Sequence, residues 1–518
     1  MKNVLKLLVF FCLYILFTTS CERENVGETF DSNKVNSSVA IPIDIGCNAT
    51  APSPFDQFLP DSDGNVFVNQ NITLTTGNTY ILHNYVRILS GYTITIEPGV
   101  HILGNQRNQT ACDIAPGALI IERGAKIDAQ GTVTAPIVFT ANKSNPVPGD
   151  WAGVMLLGKA HVNAKADPNV PGTFNGVAAV EGLPVPANIG LFGSINPDNN
   201  DDSGIMRYVR IEYAGDEISA ENEFNSLTLA GVGSGTTLEY IQISYSFDDA
   251  FAFIGGSVNG KYLIANRSGD DDFDTNLGYS GNLQFGVIIR DQNGSWLSAA
   301  PLNGSESKGD DDSGYKTSSD FTKANFSNFT IIGPYQNNCL GVVNANYSSG
   351  IYFIDNSDQN LYNSVILGFG SALRINDAGA ANFNTSSVSR DDRIDIRNTT
   401  VVIPAPGQGA RLATLEDVTG TDFNSAFLTP ALNNSIVTAF SCSVSSFTMA
   451  GRIGFSPNAW NSINNIQPDL RPNAVSSLPN SASFTGVNSG GFFDTSVTYR
   501  GAFGRNDTWM DGWTDWTL

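Results

Sequence analysis

Histidine is nearly missing from this 518-residue chain, with His83, His101 and His161 the only three. So few imidazoles exclude a histidine-rich zinc centre. Basic residues are scarce as well: 28 Lys and Arg stand against 50 Asp and Glu, a formal net charge of −22. A surface this acidic repels nucleic acid and anionic lipid headgroups, so neither is expected as a partner; cations and neutral polymers are favoured. The apolar run at the start, Leu7 to Phe17, is eleven residues long, about half of the ~20 that a membrane-spanning helix needs. Also missing are sustained amphipathic helical patterns, a Walker phosphate loop, a His-Glu-x-x-His zinc motif and a Gly-x-Ser-x-Gly nucleophile turn. Gly231-Val-Gly-Ser-Gly235 precedes no helical pattern and reads as a corner, not a phosphate cradle.

What the chain does contain is turn-forming: 51 Gly, abundant Asn, Ser and Thr, and only 15% charged residues describe a β-rich protein with many turns. Its length exceeds one compact core and suits an elongated array. Of six cysteines, Cys12 falls in the apolar run and Cys21 follows it. Cys47, Cys112, Cys339 and Cys442 remain for two disulfides, with all three pairings open.

Lys2 and Lys6 ahead of the apolar run read as a secretory signal. Thr18, Thr19 and Ser20 then lead into Cys21, an arrangement that resembles the lipobox of bacterial lipoproteins, with Thr18 where Leu is usual. The resemblance implies cleavage before Cys21 and diacylation of its sulfur, hence a lipid anchor in a membrane; a soluble secreted protein is the alternative. Residues 1–20 are thus expected to be a signal peptide. Residues 21–65, rich in Asn, Ser, Asp and Pro without periodicity, are expected to be a flexible tether.

From about residue 70 short strands recur, each closed by Gly or Pro: Tyr92 to Gly99, Ala118 to Gly124 and Ala135 to Thr140. They follow too closely for crossover helices, which leaves a coil of short strands sharing one core. The segments Ile96-Glu-Pro-Gly-Val100, Gly117 to Gly131, Pro136-Ile-Val-Phe-Thr140 and Gly149 to Gly158 resemble the opening rungs of right-handed parallel β-helix surface lipoproteins common in Bacteroidota. That resemblance implies the fold and an outer-membrane, cell-surface address, and no particular reaction. The expected architecture is all-β: a right-handed parallel β-helix over 66–420 and an irregular C-terminal cap over 421–518. Trp509, Trp513 and Trp516 near the end are expected to cover the open end of the solenoid, with a sugar platform as the alternative.

Chemistry is most concentrated in aspartates: Asp201-Asp202, Asp248-Asp249, Asp270-Asp271-Asp272 with Asp274, and Asp310-Asp311-Asp312. At roughly 20 to 25 residues per rung, their spacings predict that these clusters stack along one edge. Alternation places Asp249 and Asp271 on the inward face with the neighbouring phenylalanines, where an unpaired carboxylate is costly. A broken alternation, backbone N–H donors at the corner or a bound cation each relieves that cost. Asp248, Asp249, Asp270, Asp271, Asp272 and Asp274 are accordingly the candidate Ca2+ ligands, since rungs ~4.8 Å apart can gather the oxygens that Ca2+ takes. Solvated corner aspartates are the alternative.

No catalytic residue can be named from the sequence. The expected function is that of a non-catalytic outer-membrane lipoprotein whose rigid β-helix binds a glycan or an outer-membrane partner, with Ca2+ ordering the acidic edge. A polysaccharide lyase or glycoside hydrolase is the alternative. For a lyase, Arg290 and Lys261 are the candidate bases. For a hydrolase, neighbouring rungs can set two carboxyls ~6.5 to 9.5 Å apart. Phe247-Asp-Asp-Ala250 is similar to the Asp pair of β-helical pectin hydrolases, but the His-Gly and Arg-Ile-Lys motifs of that family are absent. A third reading is an accessory subunit of an outer-membrane transporter.

Overall fold

A computed structural model of the chain describes residues 41–48, 53–164, 176–219, 222–292, 294, 296–298, 301–309, 321–335, 344–355, 357–376, 394–403, 411–416, 425, 427–438, 453–455, 465–487 and 489–518. The expected signal peptide, Cys21, Cys339, Cys442 and Asp310 to Asp312 lie outside the described residues.

The described chain winds as a right-handed parallel β-helix with three sides. Early turns visit them in order: Thr93–Ile96 lies on the first side, His101–Gly104 on the second and Ala118–Ile121 on the third, before Lys126–Gln130 returns to the first and pairs in register with Thr93–Ile96. The third side is an 11-stranded sheet in strict chain order, from Asn65–Val68 to Arg411–Glu416. Alternation makes the core. Ile94, Ile96, Ile102, Leu119, Ile121 and Ile127 point inward and are buried together, each worth about 1.5–3 kcal/mol of apolar burial.

In the middle of the coil, Gly204–Glu212, Thr237–Ser244, Asn259–Asn266 and Asn282–Ile289 run through the first and second sides without a break. They bend at one residue each, Tyr208, Tyr240, Tyr262 and Phe285, all with φ between 51° and 62°. Later rungs keep the same register position, and there Asn328, Asn363, Asn398 and Asn433 take the left-handed conformation, which Asn tolerates through local hydrogen bonding. The four aromatic rings stack outside the bend at centroid distances of 4.4, 4.4 and 4.9 Å.

Two expectations need correction. Part of the expected tether belongs to the coil: Ile43–Ile45 pairs in parallel with Thr79–Leu82, Phe55 and Phe58 are buried in the core, and Cys47 is bonded to Cys112. A few apolar side chains, Ile43, Ile45, Phe55 and Phe58, together with the disulfide, hold to the core a segment whose overall composition reads as linker. The irregular C-terminal region, for its part, runs along the outside of the second side. Trp513 packs edge-on against Tyr208 and Tyr240, Trp509 lies against Tyr262, and Gln242 and Gln284 clasp the backbone of Asp515 and Asp494 with paired amide hydrogen bonds of 2.6–3.1 Å. Trp513 and Trp516 are buried there, so neither forms an open sugar platform. The cause is visible in the strands beneath: Ile264, Val287, Ile289, Ile332, Val365 and Leu367 point outward, and this apolar stripe needs a cover.

Candidate cation site

The aspartates converge at the corner where the chain leaves the second side and enters the third. Tyr245 and Arg267, at φ 59° and 64°, end the second-side strands of two neighbouring rungs. Ser246 to Ala250 and Ser268 to Asp272 then form stacked corners ahead of the third-side strands Phe251–Ile254 and Phe273–Asn276, which pair 22 residues apart. Gly269 makes the stacking feasible, because a Cβ there would run into the Phe247 carbonyl oxygen.

The corner breaks the alternation expected of Asp249 and Asp271, and their carboxylates turn to backbone donors. The Asp271 N–H donates to Asp249 Oδ1 at 2.9 Å, and the Asn303 N–H donates to Asp271 Oδ1 at 2.6 Å. Asp272 is buried against Arg290, whose Nη1 lies 3.1 Å from Asp272 Oδ2 and also donates to the Asp270 carbonyl. Asp274, outward on its strand, accepts the Asn276 amide at 2.7 Å. Asp248, Asp249 and Asp270 come together: each presents a carboxylate oxygen, and these oxygens lie within 4.8 Å of one another on a half-buried surface. Asp270 Oδ1 is buried without a hydrogen-bond partner. Asn225, one rung earlier, faces the same point. With its nitrogen turned inward it donates to Asp248 Oδ2 at 2.9 Å and Asp249 Oδ2 at 3.1 Å; with its oxygen turned inward it adds a fourth oxygen to the set.

Crowding shifts every acid here upward. Burial, then the neighbouring Asp270, pushes Asp248 up to about 8. Burial lifts Asp270 to about 6 and Glu306 to about 7, with Arg290 pulling Asp270 down. Asp249, Asp271 and Asp274 are held well above the carboxylate range, first by burial and then by neighbouring carboxylates, Asp248 for Asp249, Asp270 for Asp271 and Glu306 for Asp274. Burial also raises Asp272 to about 6 against the opposing pull of Arg290. An all-oxygen set spanning 4.8 Å suits a hard cation that takes oxygens at ~2.3–2.6 Å on opposite flanks. Such an ion would also relieve the repulsion among the carboxylates.

Of the six candidate ligands, the structure therefore gathers Asp248, Asp249 and Asp270 at one point. Asp271 and Asp274 lie beside them on the same side of the coil, and Asp272 is engaged by Arg290. Asp201-Asp202 does not join the stack. It occupies the opposite edge of the third side, where Asp202 meets Lys126 at 2.5 Å and the Asp201 backbone nestles against Gly233. Rung length is the physical reason: third-side partners are 24 residues apart at Leu227 and Phe251, 32 at Phe273 and Ser305, and 73 at Val154 and Leu227, so a constant step does not map clusters onto rungs. Arg290 is fully buried and Lys261 lies over the Phe492 ring on another side of the coil, so neither candidate base faces open space at the cluster. Asn225, Glu306 and Lys308 were not singled out from sequence. The alternation in Ser305-Glu-Ser-Lys308, two small inward residues and two outward charges, was the available signal.

A family model for a pectate-lyase like beta helix domain matches residues 66–431. Among solved structures, the chain is similar to pectate lyase Pel9A at 13% identity and a TM-score of 0.36, covering 81% of this chain and 89% of that one. It is similar to the catalytic unit of a GH87 alpha-1,3-glucanase from Streptomyces thermodiastaticus at 11% identity and a TM-score of 0.22, covering 72% and 66%. A third likeness is to the Dettilon tailspike protein, at 10% identity and a TM-score of 0.21, covering 71% and 62%. No curated protein matches the chain.

Proposed function

Because the chain belongs to the pectate-lyase-like β-helix domain family, a scaffold of polysaccharide-active proteins, we propose that it is a surface-anchored lipoprotein that binds a polysaccharide through a Ca2+ ion on its third side. One observation carries the reading: three carboxylates, one with an unpartnered buried oxygen, meet on a half-buried face of a rigid coil. Asp248, Asp249 and Asp270 would hold the ion, with Asn225 turned to supply its amide oxygen. Bound there, the ion supplies a positive centre to which sugar hydroxyl or carboxylate oxygens can bind. Asp274 and Glu306 flank the site on the next two strands, paired in register. Cys21 is the proposed lipid anchor, in an outer membrane at the cell surface.

The test is retention of the mature protein in gels containing polygalacturonate or neutral glucan, with Ca2+ or with chelator. Retention that depends on Ca2+ and is lost in D248N and D270N is expected. Equal retention in chelator removes the proposal.

A second reading, cleavage of the bound polymer, is favoured by Lys308, which lies on the same outward face and whose charge partly offsets the burial and crowding that raise the Asp274 and Glu306 carboxyls. Unsaturated sugar ends, detected by their ultraviolet absorbance, would appear with wild-type protein and not with K308A. Their absence at full binding leaves the protein a binder.

A further inference from the structure

We propose that the first strand of the second side is a cap fastened by two locks, the Cys47–Cys112 disulfide and a His83 imidazolium clamped between Asp44 and Asp113, and that it opens only when both are undone. Neither lock uses a residue of the cation site.

The backbone alone holds the cap weakly. Ile43–Ile45 is a strand of three residues paired in parallel with Thr79–Leu82, and of its side chains only Ile45 is fully buried. A ladder this short makes few hydrogen bonds, each with a small net contribution. Yet the strand covers an edge of Thr79–Leu82 whose N–H and C=O groups would otherwise be open to pairing with another chain. Side chains have to supply the hold, and they converge on the corner that follows Thr79–Leu82.

The first lock is ionic. The buried His83 ring has Nδ1 2.7 Å from Asp113 Oδ1 and Nε2 3.0 Å from Asp44 Oδ1. A neutral imidazole donates from one nitrogen, so a carboxylate at each nitrogen is satisfied when both carry protons. The Asn105 amide also reaches Nδ1, at 3.2 Å, but the carboxylate is nearer. Asp113 is fixed as an ionised partner: Thr110 donates its N–H and its hydroxyl to Oδ2, each at 2.7 Å, and the Asn105 amide donates to both carboxylate oxygens at 3.2 and 3.1 Å. Among the described residues, Asp113 from the loop and Asp44 from the cap are the charged groups that act on the ring. Burial works against both ions, but the two carboxylates lift His83 above the usual histidine value, and His83 with Thr110 holds Asp113 below the usual carboxylate range.

The second lock is covalent and joins the same two stretches of chain. Cys47 follows Asp44 by three residues, and its partner Cys112 directly precedes Asp113. Asn84 bridges them as well, donating to the Gly46 carbonyl at 3.4 Å and the Cys112 carbonyl at 2.8 Å. With either lock shut, the groups of the other stay at high effective concentration and close again.

The locks answer to different signals. A histidine raised above its unfolded value stabilises the closed cap fully below that unfolded value, and the stabilisation is lost as the pH rises through the raised one. Asp113, being lowered, fails only as the pH falls through its lowered value. The ionic lock is therefore shut in mild acid and opens on the alkaline side. The disulfide opens when a dithiol passes it two electrons and two protons, leaving two thiols and the dithiol oxidised to a disulfide.

The experiment labels the mature protein with 15N-histidine, which gives three residues to resolve, His83 being assigned by its absence in H83Q. Both His83 ring nitrogens should remain fully protonated at pH about 6.5, where an ordinary imidazole is half-titrated. Half-titration there overturns the ionic lock. The same label reports the His83 backbone N–H, which donates to the Ile45 carbonyl at 2.9 Å. Its protection from exchange, corrected for the intrinsic rate, is compared at mildly acid and mildly alkaline pH, with and without dithiothreitol. Oxidised protein should stay protected at both. Reduced protein should stay protected in acid and lose protection roughly tenfold in alkali, and C47S/C112S should match it. If that double variant folds poorly, reduction of folded wild type decides, with reduced D44N expected to lose part of its protection already in acid. Release in alkali without reductant, or release by dithiothreitol alone in acid, overturns the paired locks by leaving one to act alone. Protection that survives alkali and reductant together shows that neither fastens the cap.

Discussion

The second and third sides of this coil share one inward ladder of apolar residues, yet their outward faces are opposites. On the second side, Ile264, Val287, Ile289, Ile332 and Leu367 are buried under the C-terminal segment, and the Tyr208, Tyr240 and Tyr262 rings beside them receive Trp513 and Trp509. On the third side, across the same stretch of coil, Asp274, Glu306 and Lys308 stand half-exposed with Asp248, Asp249 and Asp270 at the adjoining corner. The inward ladder fixes the fold, so outward positions are free to differ. What covers them sets their chemistry: apolar positions acquire a lid and stability, whereas charged ones stay accessible, repel one another and raise one another's proton affinity.

The comparison predicts that damage to the covered side costs stability and spares binding. Trp513→Ala should lose about 3–5 kcal/mol of unfolding free energy, read by denaturant titration, with Ca2+ affinity unchanged. A loss under 1 kcal/mol would mean the segment is only loosely laid on.

Next comes the buried pair beneath the acid face. Arg290→Met leaves Asp272 buried and unpaired, at a cost of about 3 kcal/mol near neutral pH. The cost should shrink as the pH falls towards about 6 and vanish below it, where Asp272 takes up a proton even beside Arg290. A pH-independent loss would show that the ion pair is not the cause.

Cation and pH should act on the third side together. The cluster acids are raised above their unfolded values, so without cation the folded state binds more protons than the unfolded state. Stability in chelator should then be greatest below about pH 4 and fall as the pH rises towards 8, through the raised values of Asp270, Glu306 and Asp248. Ca2+ at a hundred times its dissociation constant should add back about 2.7 kcal/mol, most effectively at the upper end of that window and with release of protons. Melting curves that coincide with and without Ca2+ at pH 8 would remove the site.

The smallest effect belongs to the bend. Asn328, at φ 56°, donates its amide to the Tyr499 carbonyl at 2.8 Å, tying the coil to its lid. Asn328→Ala should cost about 1–2 kcal/mol, and Asn328→Gly less, since Gly retains the left-handed backbone. Equal losses in thermal melts would assign the whole cost to the lost hydrogen bond.

Much of this was legible in the chain. Alternation in Thr93-Ile-Thr-Ile96 gave a strand with one buried face, and the stacked corners at Asp248-Asp249 and Asp270-Asp271-Asp272, one rung apart, followed from their spacing. The unbroken apolar strands Val287-Ile-Ile289 and Val365-Ile-Leu367 carried a further signal, burial on both faces, which foretells a cover without naming it. Asn225 and Glu306 were not legible as members of the site, because one lies 24 residues before Asp249 and the other 32 after Asp274, across rungs of unequal length.

By itself the sequence determined that this protein coils: alternation toward a common core and Gly or Asn at the corners are local properties, written within a few residues of where they act. Only the tertiary structure decided which outward residues meet. Rungs accommodate loops of any length without changing their register, and the lid joins Gln242 to Asp515, a contact that no periodicity over 273 positions encodes.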